Sequence, residues 1–194
     1  MNKFSLFLET MKNFKTVGTI TFSSNYLVQK LIDPIDFERA NCIIELGAGN
    51  GCITEALLAK MKPDSTLLAY EINEKFCDLL NGLDDNRLKV INDFAENMDK
   101  ELDKLPYSSA DYIVSSLPLV NFSNEGLQEI TDCIATNLHS RGLYLQIQYS
   151  LISYRKFKHK FSGCKTRYVW RNIPPAYVIQ CNKKASEIVL EKVS

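Results

Sequence analysis

A doubly wound α/β fold is the expectation for this chain, and three features support it. The apolar run Cys42–Leu46 breaks into glycines at 47, 49 and 51. Two later apolar runs end in acidic residues, Glu71 and Asp93. β-rich and helix-periodic stretches alternate through the middle of the chain, and two β-rich runs lie near its end. This alternation implies a mostly parallel sheet with helices on both faces, here seven-stranded with an antiparallel C-terminal hairpin.

The strand at about 42–46 is apolar on both sides of its ladder, as a strand covered on two faces must be. Helical spacing resumes after the glycines and predicts a helix near 52–61. The same reading gives strands at about 66–71, 88–92, 111–116 and 142–149, with helices near 74–81, 95–103 and 124–138. The runs Thr166 to Ile173 and Ala176 to Cys181 complete the hairpin edge. Asn172-Ile173-Pro174-Pro175 between them reads as a turn, because proline fixes φ. The length and 45% apolar content suit a single domain over 1–194. Residues 1–32 form an N-terminal helical, amphipathic segment and 33–194 the core.

The glycine turn reads as a nucleoside-binding loop. Glycine tolerates positive φ and lets a ligand approach the backbone without a Cβ in the way. A dinucleotide fingerprint needs its third glycine five residues after the first, to seat a pyrophosphate at the helix N-terminus. Cys52 occupies that position, and Glu45 would repel a pyrophosphate. A carboxylate there suits a cationic ligand such as a sulfonium amino acid.

The pattern E-x-G-x-G-x-G at Glu45, Gly47, Gly49 and Gly51 resembles motif I of the class I S-adenosylmethionine-dependent methyltransferases, a Rossmann-like fold. The resemblance implies S-adenosyl-L-methionine as cofactor and S-adenosyl-L-homocysteine as product. It places Glu71 and Ile72 beside the ribose, Asp93 and the Phe94 amide against the adenine, and Ser116 close to the cofactor. Amino-group methyltransferases of nucleobases carry Asn or Asp before Pro-Pro-Tyr after the fourth strand. Here the segment is Ser115-Ser116-Leu117-Pro118-Leu119-Val120-Asn121-Phe122, and Leu119 stands where the stacking aromatic would be.

Four longer elements narrow the resemblance: Val17 to Ser24, Ser116-Leu117-Pro118-Leu119, Gln146-Ile147-Gln148-Tyr149-Ser150 and Val169-Trp170-Arg171-Asn172-Ile173-Pro174-Pro175-Ala176. Together they resemble the bacterial phospholipid N-methyltransferases, from about residue 10 to 182. That family consists of peripheral membrane enzymes converting phosphatidylethanolamine stepwise toward phosphatidylcholine. Phe22 stands where the family often has proline. The resemblance implies an anionic membrane surface and an aminolipid as partners, and a cytoplasmic protein on the inner face of the membrane. An ornithine-lipid or small-molecule amine is an alternative substrate. RNA adenine N6-methylation is another, since that family shares the early motifs and a basic surface. A nonenzymatic cofactor-binding protein is a third reading.

Charge and hydropathy fit a peripheral protein. Net charge is zero, yet nine basic residues and no acidic one fall between Leu151 and Lys184. Such a block is either a solvated face or a contact with an anionic surface. Phe4, Phe7, Leu8, Met11 and Phe14 recur at helical spacing and could enter a headgroup interface or pack on the sheet edge. No stretch is long and apolar enough to span a bilayer, and Lys12 and Lys15 interrupt any cleavable h-region. The six cysteines lack metal spacing with His139 and His159 and read as reduced thiols. Tyr149 and Tyr26 are the candidate catalytic side chains, and Arg171 and Asn172 the candidates for a lipid phosphate. The sequence leaves the oligomeric state open.

Overall fold

The computed structural model describes residues 23–184. Phe4, Phe7 and Met11, proposed above for a membrane interface, lie outside the described residues. The first element among the described residues is helix α1 (Asn25–Ile32), capped by Ser24, whose side chain accepts from the Leu27 N–H at 3.2 Å. It buries Leu27, Val28, Leu31 and Ile32. Strands β1 (Cys42–Leu46), β2 (Thr66–Tyr70), β3 (Leu88–Ile91) and β4 (Ala110–Ser115) follow, separated by α2 (Cys52–Leu58), α3 (Glu74–Asn81) and α4 (Met98–Leu102). Then come α5 (Asn124–Asn137), β5 (Leu138–Gln148), α6 (Ile152–Phe157), β6 (Phe161–Val169) and β7 (Ala176–Lys183).

The seven strands run in the order β3-β2-β1-β4-β5-β7-β6. The first five are parallel, and β7 and β6 add antiparallel edges. Neighbouring residues on the inner strands serve opposite faces, as the pleat requires. Ile43, Leu67, Val114 and Leu145 pack with α1 and α2, whereas Ile44, Leu68, Ile113 and Tyr144 pack with α5 and α6. Because both faces are covered, the chemistry is confined to the strand ends, and the strand order reverses between β1 and β4. That switch point, beyond the carboxyl ends of β1, β2 and β4, is where an open α/β sheet offers a crevice.

Several boundaries differ from expectation. β6 spans Phe161–Val169 rather than Thr166 to Ile173. Residues 170–175 form the connecting turn instead, with the Asn172 side chain bonded to the Ser24 N–H and the Pro174 carbonyl, while a bulge at Gly163, φ +54°, lets the edge strand begin sooner. β5 starts at Leu138 directly after α5, with a register shift opposite Ala110 and Tyr112. A Cβ on Gly142 would meet the Asp111 carbonyl oxygen at 2.8 Å, so only glycine fits this crossing. The stretch expected as one helix over 95–103 divides into a 3₁₀ turn, Ala95–Asn97, and α4. Helix α6 was not anticipated from the sequence.

The reading of six reduced cysteines is corrected at one pair. Cys164 and Cys181 form a disulfide across the β6–β7 ladder, with Cα atoms 4.1 Å apart. The bulge between Ser162 and Lys165 brings the two side chains opposite each other, and a sequence reading blind to register could not see it. Cys42, Cys52, Cys77 and Cys133 are free. Among the described residues no helix is long and apolar enough to cross a membrane, and no cluster of side chains suits a metal ion.

Candidate active site at the carboxyl edge of the sheet

The loop after β1 is built on positive-φ glycines at 47, 49 and 51. Two of them are demanded by close neighbours. A Cβ on Gly47 would stand 3.1 Å from Leu117 Cδ2, and one on Gly51 would stand 3.2 Å from Leu80 Cδ2. At Gly49 the situation is reversed, since a Cβ there would meet nothing within 4 Å. Its backbone therefore faces open space. The loop is pinned from β2, because the Tyr70 carbonyl accepts both the Gly47 and Ala48 N–H groups. It is pinned from β4 by Ser116, whose hydroxyl donates to the Gly47 carbonyl at 2.6 Å.

The three acidic tips lie along the same edge of the sheet, each held differently. Glu45 is buried, and its Oε2 accepts from the Thr54 hydroxyl at 2.7 Å, while Oε1 has no protein partner. Burial pushes its carboxyl up to about 7, against the opposing effect of the Thr54 hydrogen bond. Glu71 bridges two backbone donors: Gly49 N–H to Oε2 and Asn73 N–H to Oε1, each at 2.8 Å. Ile72 is half-buried between Glu71 and Asn73, the cap of α3. The Asp93 Oδ1 accepts from the Phe94 N–H at 2.7 Å and from Asn97 Nδ2 at 2.8 Å. The Phe94 amide is thus turned toward the Asp93 side chain, and the Phe94 ring is exposed.

The segment after β4 offers no aromatic platform. Leu119 is buried in the core, and Val120 is the exposed residue of its turn. The Leu117 carbonyl accepts from the Leu119 N–H at 2.8 Å, from Gln148 Nε2 at 3.0 Å and from Gln146 Nε2 at 3.1 Å. A carbonyl oxygen has two lone pairs, so this one is saturated. Tyr144 donates to Gln146 Oε1 at 2.5 Å beneath it, which fixes that amide's orientation.

A second cluster forms where α1, the end of β5 and the β6–β7 loop meet. Asn172 is buried; its Oδ1 accepts from the Ser24 N–H at 2.9 Å and its Nδ2 donates to the Pro174 carbonyl at 2.7 Å. The Ser24 hydroxyl donates to the Arg171 carbonyl at 3.1 Å. These bonds set the Arg171 guanidinium over the Tyr26 ring, 4.8 Å from its centroid, with Trp170 5.9 Å away. Tyr149 lies beside Asn172, and burial, the largest influence on it, raises its phenol above the ordinary tyrosine range. Tyr26, Tyr149 and the Arg171-Asn172 pair, which come from three separate parts of the sequence, are therefore neighbours. Phe4, Phe7 and Met11 alone among the expected site residues lie outside the described residues.

The fold is one that known proteins share. No family model matches the chain. Its fold matches precorrin-6y C5,15-methyltransferase from Geobacter metallireducens with a TM-score of 0.63, at 19% identity over 81% of this chain and 88% of that one. An ornithine lipid N-methyltransferase from Singulisphaera acidiphila is 28% identical over 93% of this chain and 96% of its own length. The chain is a class I S-adenosylmethionine-dependent methyltransferase. The ribosomal RNA small subunit methyltransferase A of Borreliella burgdorferi is 30% identical over 72% of this methyltransferase, which spans only 56% of that relative's length.

Several features of the methyltransferase had no clear sequence signal. The glutamines beneath Leu117 are two residues apart on β5 and share a face, but their common acceptor sits on another strand. Thr54, which holds Glu45, lies nine residues away on α2. The basic block is also divided by the fold. Lys183 donates to the Thr136 and Leu138 carbonyls, and Lys160 pairs with Asp132, so these two are structural. Arg155, Lys158 and Arg171 stay exposed.

Proposed function

We propose that this methyltransferase transfers methyl groups to the primary amine of a membrane aminolipid, phosphatidylethanolamine first among the candidates and an ornithine-type lipid second. The observation that carries the reading is the corner where Arg171 stacks on Tyr26 beside Tyr149. It offers a guanidinium for the lipid's anionic group and aromatic faces for an amine that becomes cationic as it is methylated. Phosphate and carboxylate headgroups share the chemistry of an anion a few bonds from an amine. The end-to-end match to an ornithine lipid N-methyltransferase supports the same class.

The cofactor fits the residues present. Gly49 leaves open space above the loop, and Glu45 Oε1 is a buried acceptor without a protein partner. In this reading Gly47, Gly49 and Gly51 form the floor, Glu45 faces the cationic amino acid part, Glu71 and Ile72 flank the ribose, and Asp93 with Phe94 flanks the adenine. Ser116 holds the loop closed against β4. Bound S-adenosylmethionine supplies a methyl group already activated by its sulfonium, so catalysis rests on positioning and on delivery of a neutral amine. Tyr149 is a neutral phenol at physiological pH. Its role is to orient the amine lone pair through a hydrogen bond, while the ammonium proton leaves to solvent or to the lipid anion.

Adenine methylation of RNA is the second reading, favoured by the ribosomal RNA methyltransferase relatives. Against it stand the saturated Leu117 carbonyl and the buried Leu119, which deprive a planar NH₂ of an acceptor and a stacking face. The test is release of S-adenosylhomocysteine with detergent-dispersed aminolipids, comparing wild type with Arg171→Ala. The expected result is turnover with phosphatidylethanolamine or an ornithine lipid and a KM raised about tenfold or more in the variant, the cost of losing a charge-assisted contact. Turnover with RNA and with no aminolipid would refute the proposal.

A further inference from the structure

Large apolar side chains that stay exposed are concentrated at one end of this molecule. Ile173 is 91% exposed, Trp170 70%, Ile152 61% and Val120 50%. Scattered singly, such residues would need no explanation. Here the topology gathers them. β7 runs antiparallel to β5 with Tyr177 opposite Gln148, and β6 ends with Val169 opposite Ala176. The β6–β7 loop, the β5–α6 link and the turn after β4 therefore all lie at the carboxyl edge of the sheet, around the corner that holds Tyr149 and Arg171.

We propose that the β6–β7 loop, led by Trp170 and Ile173 and flanked by Ile152, is a wedge that enters the interface of an anionic lipid bilayer. This rests on the aminolipid reading above and names the surface through which such a substrate is reached. Charge complementarity selects the partner. No acidic residue occurs between Leu151 and Lys184, the exposed Arg155 lies one helical turn after Ile152 on α6, and Arg171 stands at the base of the wedge. Cations at that level meet phosphates while the tip reaches acyl carbons. The loop's backbone also suits a poorly hydrated layer. Pro174 and Pro175 carry no N–H, and the Pro174 carbonyl is taken by Asn172 Nδ2. A tryptophan at the rim with a neighbouring arginine is the arrangement favoured at a headgroup boundary. Nucleic acid would use the arginine and the ring, but Ile173 at the tip offers a phosphate backbone neither charge nor a stacking face.

Trp170 is the only tryptophan in the chain, so its fluorescence reports on the wedge alone. The full chain is titrated with vesicles of phosphatidylglycerol and phosphatidylethanolamine, with phosphatidylcholine vesicles, and with an RNA oligomer. The expected result is a blue shift on the anionic vesicles and quenching by brominated acyl chains. Ile173→Asp should weaken vesicle co-sedimentation about tenfold or more while melting and S-adenosylmethionine binding stay unchanged. Absence of co-sedimentation, a bound protein whose Trp170 is not quenched, wild-type binding by Ile173→Asp, or a shift with RNA and not vesicles would each overturn the wedge. Transfer to detergent-dispersed aminolipid, run alongside, separates the two ideas. Its failure with Trp170 inserted removes the substrate reading and leaves the wedge, whereas transfer with Trp170 in water removes the wedge alone.

Discussion

The Gly49 N–H donates to Glu71 Oε2 at 2.8 Å, tying the β1 loop to the tip of β2 through the residue whose missing Cβ faces open space. With Asn73 N–H on the other oxygen, the Glu71 carboxylate is held in place before any ligand arrives, and in the proposed reading it faces the ribose. Each carboxylate oxygen keeps a lone pair for a hydroxyl. Glu71→Gln sets an NH₂ against one of these backbone donors. Cofactor affinity measured by calorimetry should fall about tenfold to a hundredfold, in line with one charge-assisted hydrogen bond.

Alanine at two glycines should separate stability from binding. Both positions have positive φ, +78° at Gly47 and +55° at Gly49, and alanine there costs about 1–2 kcal/mol of strain. At Gly47 the methyl also crowds Leu117 and Ser116, whereas at Gly49 it enters the crevice. Gly49→Ala should therefore lose cofactor affinity out of proportion to its shift in melting temperature. Gly47→Ala should lose more stability of the two. Equal losses of both properties in the two variants would show that the space above Gly49 is not the cofactor's.

Glu45 predicts a pH dependence with a definite sign. Burial raises its folded carboxyl from 4.5 to about 7, so the folded protein binds more protons than the unfolded chain between these values. Its contribution to stability therefore falls as pH rises through that window and recovers on acidification. A cationic cofactor reverses the preference, because it favours the carboxylate. Binding should tighten as pH rises from about 6 to 8 and release protons, seen as buffer-dependent heats in calorimetry. Glu45→Gln should bind more weakly and without proton release; unchanged proton release would assign the linkage to another group.

Asn172 and Tyr149 should respond differently. Asn172→Ala leaves the Ser24 N–H and Pro174 carbonyl without their partner and should destabilise the fold by about 1–3 kcal/mol in denaturant unfolding. Tyr149→Phe removes only a hydroxyl from a half-exposed ring. It should lower kcat about tenfold while cofactor affinity holds, the pattern of a group that orients the amine. A Tyr149→Phe enzyme with wild-type kcat would leave the phenol without a role.

The glycine loop and the strand tips around it were legible because their signals are local. Gly47, Gly49 and Gly51 declare their own φ, and Glu45, Glu71 and Asp93 sit at the ends of short apolar runs. The substrate half was legible only as candidates. What brings Tyr26 to Arg171 and Asn172 is a set of contacts between residues separated by more than a hundred positions, such as Ser24 with Asn172. The start of β6 and the Cys164–Cys181 bridge were hidden for a related reason. A bulge at an edge strand leaves no alternation to read, and register alone decides which cysteines meet.

The most direct test is a single reaction containing labelled S-adenosylmethionine, the full chain, vesicles of phosphatidylethanolamine with phosphatidylglycerol, an ornithine-lipid arm, and an RNA competitor, with lipid and RNA fractions separated afterwards. The predicted result is label in mono-, di- or trimethylated lipid and none in RNA, with the same protein carrying Gly49→Val giving neither. Label in RNA adenine with unlabelled lipid would contradict the account and move this methyltransferase to the nucleobase class.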